Sequence, residues 1–111
     1  MEFQAQNLEA FGKKIIIVEN GKEAARASLY VLKNDLHDKP FGFIEDVCVC
    51  EELRGKGIGS KLLREIIAEA KRQNCYKIIA TSRDSRERTH EFYEKLGFTN
   101  YGREFRMDLN N

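Results

Sequence analysis

The sequence predicts an α/β (α+β) fold, with a mixed, mostly antiparallel central sheet and helices on both faces, in a single domain over residues 1–111. The first observation is a hairpin signal: the β-branched residues 15–18 are followed by Asn20-Gly21, which favours a tight turn between two strands. The second is a segment with helical apolar spacing, residues 58–70, that stands between two strand-like segments. Because a strand–helix–strand order is nearly always a right-handed crossover, it predicts a parallel strand pair.

The first half of the chain is predicted to form three strands. Residues 1–11 are ambiguous between a short strand and a frayed arm, and residues 15–18 belong to the first strand. Apolar and polar side chains alternate over residues 25–31, as expected for a strand with one buried face. Residues 34–40 are a polar turn, and residues 41–50 form the third strand. Strands joined in this way predict an antiparallel meander.

The second half is predicted to form a helix, a strand, a helix and a strand. A strand over residues 76–81 follows the first helix. The second helix, residues 87–96, is followed by Gly97, which has the conformational freedom that a helix C-terminus often requires. Its apolar stripe predicts burial of Thr89, Phe92, Tyr93 and Leu96. An alternating pattern predicts the final strand, through Phe105, Met107 and Leu109.

The composition argues against several classes of function. The 111 residues include 19 basic and 18 acidic side chains, so no global field favours nucleic acid. No apolar run approaches the ~20 residues of a membrane span, and no signal-peptide pattern opens the chain, so we expect a cytoplasmic protein. Cys48, Cys50 and Cys75 lack C-x-x-C spacing and a partnering His cluster. We therefore expect reduced core thiols and no metal site.

A glycine-rich turn opens the first helix. Glycines occupy alternate positions of the turn, and they have no side chains that would shield its backbone N–H groups. These glycines are Gly55, Gly57 and Gly59. The first four N–H groups of a helix lack internal partners and its dipole makes that end partly positive, so phosphate oxygens bind well there. Three side chains add positive charge: Arg54, Lys56 and Lys61. The order of glycines fits neither a Walker loop nor a dinucleotide fingerprint, but it predicts a site for a ligand that carries phosphates.

Two motifs resemble those of one family. The pattern [QR]-x-x-G-x-[GA], filled by Arg54, Gly57 and Gly59, resembles the pyrophosphate loop of the GNAT superfamily of N-acetyltransferases, which use acetyl-coenzyme A. The block F-Y-x-K-x-G-F over residues 92–98 resembles the second signature of that superfamily. The resemblance extends over residues 15–109. Residues 44–47 and 74–79 resemble glucosamine-6-phosphate N-acetyltransferases, whereas the TSR–R–THEFYEKLGF stretch resembles small amine acetyltransferases, including aminoalkylphosphonate-type ones.

The resemblance implies a set of site residues. The coenzyme contacts that it implies are Val47, Cys48, Val49, Arg54, Gly55, Lys56, Gly57, Ile58, Gly59, Ser60 and Arg86. The substrate contacts are Asp46 and Thr81. In the family a bulge splays the third strand from its neighbour, so that backbone N–H groups of residues 47–49 polarise the acetyl carbonyl. Tyr93 matches the tyrosine that protonates the coenzyme A sulfur.

The attacking amine must lose a proton, so a general base is also wanted. Strand alternation places Glu45 on the face of Val47 and Asp46 on the opposite face, with Cys48 and Cys50. Glu45 is therefore our first choice for a base that acts directly or through water.

Each role has a structural alternative. Glu45 is also placed to pair with Arg26 or another cation, and Tyr93 also fits a plain core position. His90 suits a helix-surface or coenzyme-contact role better than that of a base. The arginines before the second helix fit either a solvated face or the coenzyme phosphates; they are Arg83, Arg86 and Arg88.

Only about a dozen residues precede the predicted hairpin, whereas GNAT domains usually begin with a strand and two helices that wall the acceptor site. We therefore expect an N-terminally shortened member that forms a homodimer. The expected activity is transfer of an acetyl group to a primary amine of a small molecule or amino sugar. A protein or peptide acetyltransferase and a non-catalytic coenzyme A-binding module are the alternatives.

Overall fold

A computed structural model of the chain describes residues 1–110, in two compact units, Met1–Ala80 and a second unit that begins at Thr81. The first unit holds a four-stranded sheet in the order β1-β2-β3-β4. The strands are β1 (Ala10–Glu19), β2 (Lys22–Leu32), β3 (Phe41–Val49) and β4 (Ile78–Ala80). Strands β1, β2 and β3 form the predicted antiparallel meander, and β4 pairs parallel with β3. The mixed, mostly antiparallel sheet is therefore confirmed, while the single domain stays a prediction.

The β1–β2 hairpin turns at the predicted dipeptide. Asn20 and Gly21 have φ values of 51° and 74°, and Glu19 pairs with Lys22 across the turn. Positive φ at both central residues is the requirement of a type I′ turn, whose twist matches that of the flanking strands. Asn and Gly tolerate this conformation better than other residues, so local chemistry sets the register of the hairpin.

The helix α1 (Ile58–Arg72) packs against the sheet and, together with β2, forms most of the core of the first unit. The side chains of Leu62, Leu63 and Ile66 are fully buried, as is Leu29 of β2. The alternate residues of β2 point to this helix face as predicted; they are Ala25, Ala27, Leu29 and Val31. The apolar stripe that predicted the helix is thus the stripe that it buries.

The C-terminal turns of α1 are tied to β1 by a buried carboxylate. Glu69 is only 5% exposed. Its oxygens accept hydrogen bonds from Gln73 Nε2 at 2.8 Å, from Arg72 at 2.8 and 3.1 Å, and from Lys13 Nζ of β1 at 3.2 Å. These donors, with Gln73 the largest contributor, lower the pKa of Glu69 to about 2. A charge that is buried among such donors is satisfied rather than costly.

A β-bulge interrupts the β2–β3 pairing. Cys48 lies opposite Arg26 but Glu45 lies opposite Ser28, so β3 carries one more residue than β2 over this interval. Asp46, inside the bulge, has a φ of 55°. An extra residue of this kind reverses the alternation of side chains along the bulged strand.

The second unit contains α2 (Glu87–Lys95), which ends in a Schellman motif. The N–H of Phe98 donates to the carbonyl of Tyr93 at 3.0 Å, and the N–H of Gly97 donates to that of Glu94 at 3.0 Å. Gly97 has a φ of 102°, and the rings of Phe98 and Tyr93 pack edge-on with centroids 5.2 Å apart. The predicted glycine terminus with its hydrophobic contact is confirmed.

Two expectations for the second unit are wrong. The predicted stripe of α2 (Thr89, Phe92, Tyr93 and Leu96) is half-buried rather than buried. Residues 101–110 form no strand, and Phe105, Met107 and Leu109 are 91%, 82% and 88% exposed. Alternation makes a segment able to form a strand, but a strand exists only when hydrogen-bonded to another, and no described residue pairs with this segment.

Candidate functional site

The predicted phosphate-binding turn links β3 to α1. A 3₁₀ turn, Glu51–Leu53, follows β3, and the N–H of Arg54 donates to the Glu51 carbonyl at 3.3 Å. Gly55 and Gly57 both have a φ of 80°, and Gly57 is the N-cap residue of α1. An L-residue other than glycine is disfavoured in this left-handed region, so the two glycines allow the path of the turn.

The turn presents a row of unpaired backbone donors, which we call the N–H row and which runs from Gly55 to Ser60. Within residues 1–110, none of these N–H groups donates a hydrogen bond, and the first that does is that of Lys61, to the Gly57 carbonyl at 3.2 Å. A Cβ atom added at Gly55 or Gly57 would meet no atom within 4 Å. The backbone is therefore open where an anion would approach.

The charge around the N–H row is positive. The first turn of α1 contains no acidic side chain, so nothing there offsets the positive end of the helix dipole. Lys56 and Lys61 are exposed, and neither ammonium group is hydrogen-bonded to another described residue. Arg54 has a different role from the one that charge alone suggests: its Nε donates to the Val49 carbonyl at 3.1 Å and so ties the turn to the strand.

The last part of β3 has one unpaired edge. Parallel pairing with β4 stops at Ile44, opposite Ala80. The N–H of Cys50 points to β2, where it donates to the Ala24 carbonyl at 2.8 Å. Because backbone groups alternate in direction along a strand, Val49 directs its N–H and carbonyl away from β2; the carbonyl accepts the hydrogen bond from Arg54, and the N–H is left open. The edge expected to polarise an acetyl carbonyl thus lies one short turn before the N–H row in the chain.

The two carboxylates of β3 do not point to opposite faces, and that prediction is wrong. Residues opposite one another in antiparallel strands share a face, so Glu45, opposite Ser28, lies on the same face as Cys48, opposite Arg26. Asp46 lies there too, because its oxygens accept hydrogen bonds from Arg26 at 2.8 and 3.2 Å. The bulge at Asp46 is the physical reason, since strict alternation does not pass through it.

Arg26 is a neighbour of the candidate carboxylates, and the sequence did not identify its partner. It pairs with Asp46 rather than with Glu45, and it also contacts Glu23, which pairs with Lys14 at 2.9 Å. The hydrogen bonds of Arg26 hold the pKa of Asp46 below its usual value, and Asp46 in turn raises the pKa of Arg26. The side chain of Glu45 makes no hydrogen bond or ion pair with another described residue. The register shift that separates these roles leaves no signal in the sequence.

The remaining candidates belong to the second unit. Thr81 is its first residue and is exposed. Arg86 is the N-cap residue of α2 and is exposed, with no side-chain capping bond. The imidazole of His90 is hydrogen-bonded to the Arg83 carbonyl at 2.8 Å. Tyr93 is half-buried, and its ring lies against Phe92 and Phe98. The position of Tyr93 is therefore fixed within its own unit by the helix terminus.

The three cysteines are free thiols, but each is half-buried rather than part of the core. Burial raises the pKa of Cys75, which disfavours its thiolate. Over residues 1–110, no cluster of His, Cys, Asp or Glu is arranged to hold a metal ion. Neither α1 nor α2 is long and apolar enough to cross a membrane.

The chain is similar in sequence to known acetyltransferases. A profile of the acetyltransferase (GNAT) family matches residues 2–98. The chain is similar to glucosamine 6-phosphate N-acetyltransferase of Trypanosoma brucei brucei, with 43% identity over 68 residues, which cover 61% of this chain and 44% of that protein. It is also similar to N-alpha-acetyltransferase 30 of Schizosaccharomyces pombe, with 32% identity over 82 residues, which cover 72% of this chain and 55% of that protein. The chain spans about half the length of these curated relatives.

Solved structures give the same result for the fold. The crystal structure of glucosamine-6-phosphate N-acetyltransferase from Arabidopsis thaliana superposes with a TM-score of 0.82 at 30% identity, over 89% of this chain and 67% of that one. A putative acetyltransferase from Agrobacterium tumefaciens superposes with the same TM-score at 33% identity, over 87% and 68% of the two chains. The profile, the relatives and the fold agree, and the protein belongs to the GNAT acetyltransferase family.

Proposed function

We propose that this protein is an N-acetyltransferase that moves an acetyl group from acetyl-coenzyme A to a primary amine by direct attack. The observation that carries the proposal is the N–H row at the start of α1, beside the unpaired end of β3. A pyrophosphate would accept hydrogen bonds from that row, and the attached pantetheine arm would run along residues 47–49. One ligand thereby accounts for two neighbouring sets of unpaired backbone groups.

The reaction requires two proton transfers. The amine nitrogen attacks the thioester carbonyl, and a tetrahedral intermediate forms whose oxyanion is stabilised by backbone N–H groups of residues 47–49. Glu45 takes the proton that the amine loses, directly or through one water. The C–S bond then breaks, and the hydroxyl of Tyr93 protonates the departing thiolate. No covalent enzyme intermediate is needed, so the thiols of Cys48 and Cys50 take no part in the reaction.

Glu45 fits the role of base better than Asp46 does. The charge and hydrogen bonds of Arg26 stabilise the carboxylate form of Asp46, which makes it a weaker base. Glu45 is exposed, and its carboxylate is not engaged by another described side chain. Asp46 instead lies inside the bulge of β3, where it is paired with Arg26. We expect Glu45→Gln to lower the turnover number about 10²- to 10⁴-fold, with coenzyme affinity unchanged.

We infer a small-molecule amine or an amino sugar as the acceptor, and the cytoplasm, where free thiols are stable, as the compartment. The similarity to glucosamine 6-phosphate N-acetyltransferases supports an amino sugar. The similarity to N-alpha-acetyltransferase 30 supports a second candidate, the N-terminal amine of a protein or peptide. A coenzyme A-binding module without turnover is the non-enzymatic alternative.

A thiol-release screen with acetyl-coenzyme A tests these proposals. Glucosamine 6-phosphate, simple primary amines, polyamines and peptides with free N-termini are offered separately, and each acetylated product is identified by mass. Turnover with small amines or amino sugars supports the first proposal, and turnover with peptides alone replaces it with the second. Tight coenzyme binding without turnover on any acceptor would identify a binding module.

A further inference from the structure

Asp46 has an unusual backbone conformation for its place in the fold. Within residues 1–110, three residues other than glycine have a positive φ, and they are Asn20, Asp46 and Asn74. Asn20 and Asn74 lie in turns, whereas Asp46 lies inside β3. An L-residue is disfavoured in this left-handed region, although Asp and Asn tolerate it better than most. A strand residue that adopts it therefore requires support from the structure around it.

The bulge places Asp46 where a glycine is common. β3 sets two residues, Asp46 and Val47, opposite the single residue Ala27 of β2. In one frequent type of bulge, the first of the two residues is a glycine in the left-handed conformation. Here the first residue has a φ of 55° and a carboxylate side chain. The position thus lacks the freedom of glycine but has a side chain that another residue can hold.

Arg26 holds that side chain at two points. Its Nε donates to Oδ2 of Asp46 at 2.8 Å, and its Nη2 donates to Oδ1 at 3.2 Å. Its third nitrogen, Nη1, contacts Glu23 at 3.5 Å, and Glu23 pairs with Lys14 of β1 at 2.9 Å. Exposed ion pairs usually add little stability, but a planar two-point bond within a network of charges is the exception. The guanidinium of Arg26 therefore restrains Asp46.

We propose that Arg26 is a positioning residue of the acetyl transfer, which holds Asp46 at positive φ and thereby directs the backbone of residues 47–49. The proposal rests on the proposed function, in which N–H groups of these residues stabilise the oxyanion. Without the two-point bond, residue 46 relaxes toward the negative φ that L-residues prefer, and the end of β3 changes direction. A displacement of about 1 Å in groups that position a reaction costs about 10²-fold in rate.

The first test compares the effect of Arg26 in two backgrounds. Arg26→Ala should lower the turnover number about 10²-fold. In the Asp46→Gly background, the same change should lower it about threefold or less, because glycine adopts a positive φ without a partner. Turnover of acetyl-coenzyme A is measured with glucosamine 6-phosphate and with a peptide that has a free N-terminus.

Lys14→Ala is the matched control for Arg26→Ala. It removes an exposed ion pair of the same network, that of Lys14 with Glu23, but leaves the two-point bond intact, so the turnover number should not change. An equal loss on Arg26→Ala in both backgrounds would mean that Arg26 acts on the acceptor itself, and it would overturn the proposal.

Replacement of Asp46 gives a second comparison. Alanine and glycine both remove the carboxylate, but glycine alone accepts a positive φ without strain. Asp46→Gly should therefore turn over at least about tenfold faster than Asp46→Ala, as expected if most of the positioning effect returns with the backbone conformation. Similar rates for the two variants would assign the carboxylate to contact with the substrate and would contradict the positioning role.

Amide hydrogen exchange separates this proposal from the proposed function, because it requires no acceptor. The N–H of Cys50 donates to the Ala24 carbonyl at 2.8 Å beyond the bulge, and the N–H of Gly42 donates to the Lys77 carbonyl at 2.9 Å ahead of it. Arg26→Ala should speed exchange at Cys50 at least about tenfold by local opening and leave Gly42 unchanged. In the Asp46→Gly background, Arg26→Ala should change neither rate.

The two readouts fail in different ways. The predicted exchange in a protein that turns over no acceptor would refute the proposed function and still support the role of Arg26 in fixing the end of β3. Turnover by the unmodified protein, with a turnover number and an exchange rate at Cys50 that Arg26→Ala leaves unchanged, would overturn the positioning role alone.

Discussion

Replacing Gly57 by alanine separates the function of the N–H row from the stability of the fold. Gly57 has a φ of 80°, and a Cβ atom there would meet nothing within 4 Å. The cost to folding is therefore backbone strain alone, about 1–2 kcal/mol for an L-residue in the left-handed region. In the complex, the same Cβ would occupy the space through which a phosphate approaches the backbone.

The loss of affinity can be estimated from the hydrogen bonds at risk. A hydrogen bond to a charged group contributes about 1.5–3 kcal/mol, and about 1.4 kcal/mol corresponds to a tenfold change in affinity. Loss of one such bond should weaken coenzyme A binding about 10- to 100-fold, and Gly57→Val, with a larger side chain, should weaken it further. Isothermal titration calorimetry with coenzyme A measures the effect.

Gly21→Ala is the matched control for this variant. Gly21 has a φ of 74° and equally open space around its Cβ position, but it lies in the β1–β2 turn. Both variants should therefore lose similar stability in urea, while only Gly57→Ala should lose affinity. Equal affinities for the two folded variants would refute the assignment of the N–H row to the coenzyme phosphates.

Three further predictions concern catalysis, pH and packing. Tyr93→Phe keeps the ring contacts and should lower the turnover number about 10²- to 10⁴-fold with little change in melting temperature; equal turnover would assign protonation of the thiolate to water, and a large loss of stability would indicate a structural role. The pKa of Glu69 is lowered from 4.5 to about 2, so its contribution to stability is complete above pH 4.5 and is lost as the pH falls toward 2. Glu69→Gln should flatten the fall of the urea midpoint over that range, and an unchanged slope would contradict the stabilisation of the Glu69 carboxylate by its donors, of which Gln73 is the largest contributor. Gly42→Ala would bring a Cβ within 2.9 Å of the Ile78 side chain and should destabilise the fold by about 1–3 kcal/mol in urea.

Elements whose signals are local could be predicted from the sequence. The Asn20-Gly21 turn requires positive φ at both residues, and few other dipeptides accept it, so the hairpin follows from the residues themselves. The Schellman terminus of α2 follows in the same way from Gly97 and Phe98. The N–H row is equally local, because glycine spacing at a helix start decides which donors remain open.

Features that depend on partners could not be predicted. The bulge at Asp46 arises from the pairing of β3 with β2, and an aspartate in a strand does not by itself predict a bulge. The sequence therefore did not predict that Arg26 pairs with Asp46 and that Glu45 has no partner among the described side chains. Phe105 shows the opposite error: its alternating segment can form a strand, but no described strand pairs with it.

The most direct test of the central claim is to map where coenzyme A binds, by following backbone amide signals in NMR spectra of the labelled protein during a titration. We expect the largest shifts at the N–H row, residues 55–60, whose donors lack protein partners, and at the end of β3, residues 47–49, where the N–H of Val49 is directed away from β2. The signals of Asn20 and Gly21, in the turn between β1 and β2, should stay in place. Binding that shifts neither the N–H row nor the end of β3, or no binding at millimolar coenzyme, would contradict the account.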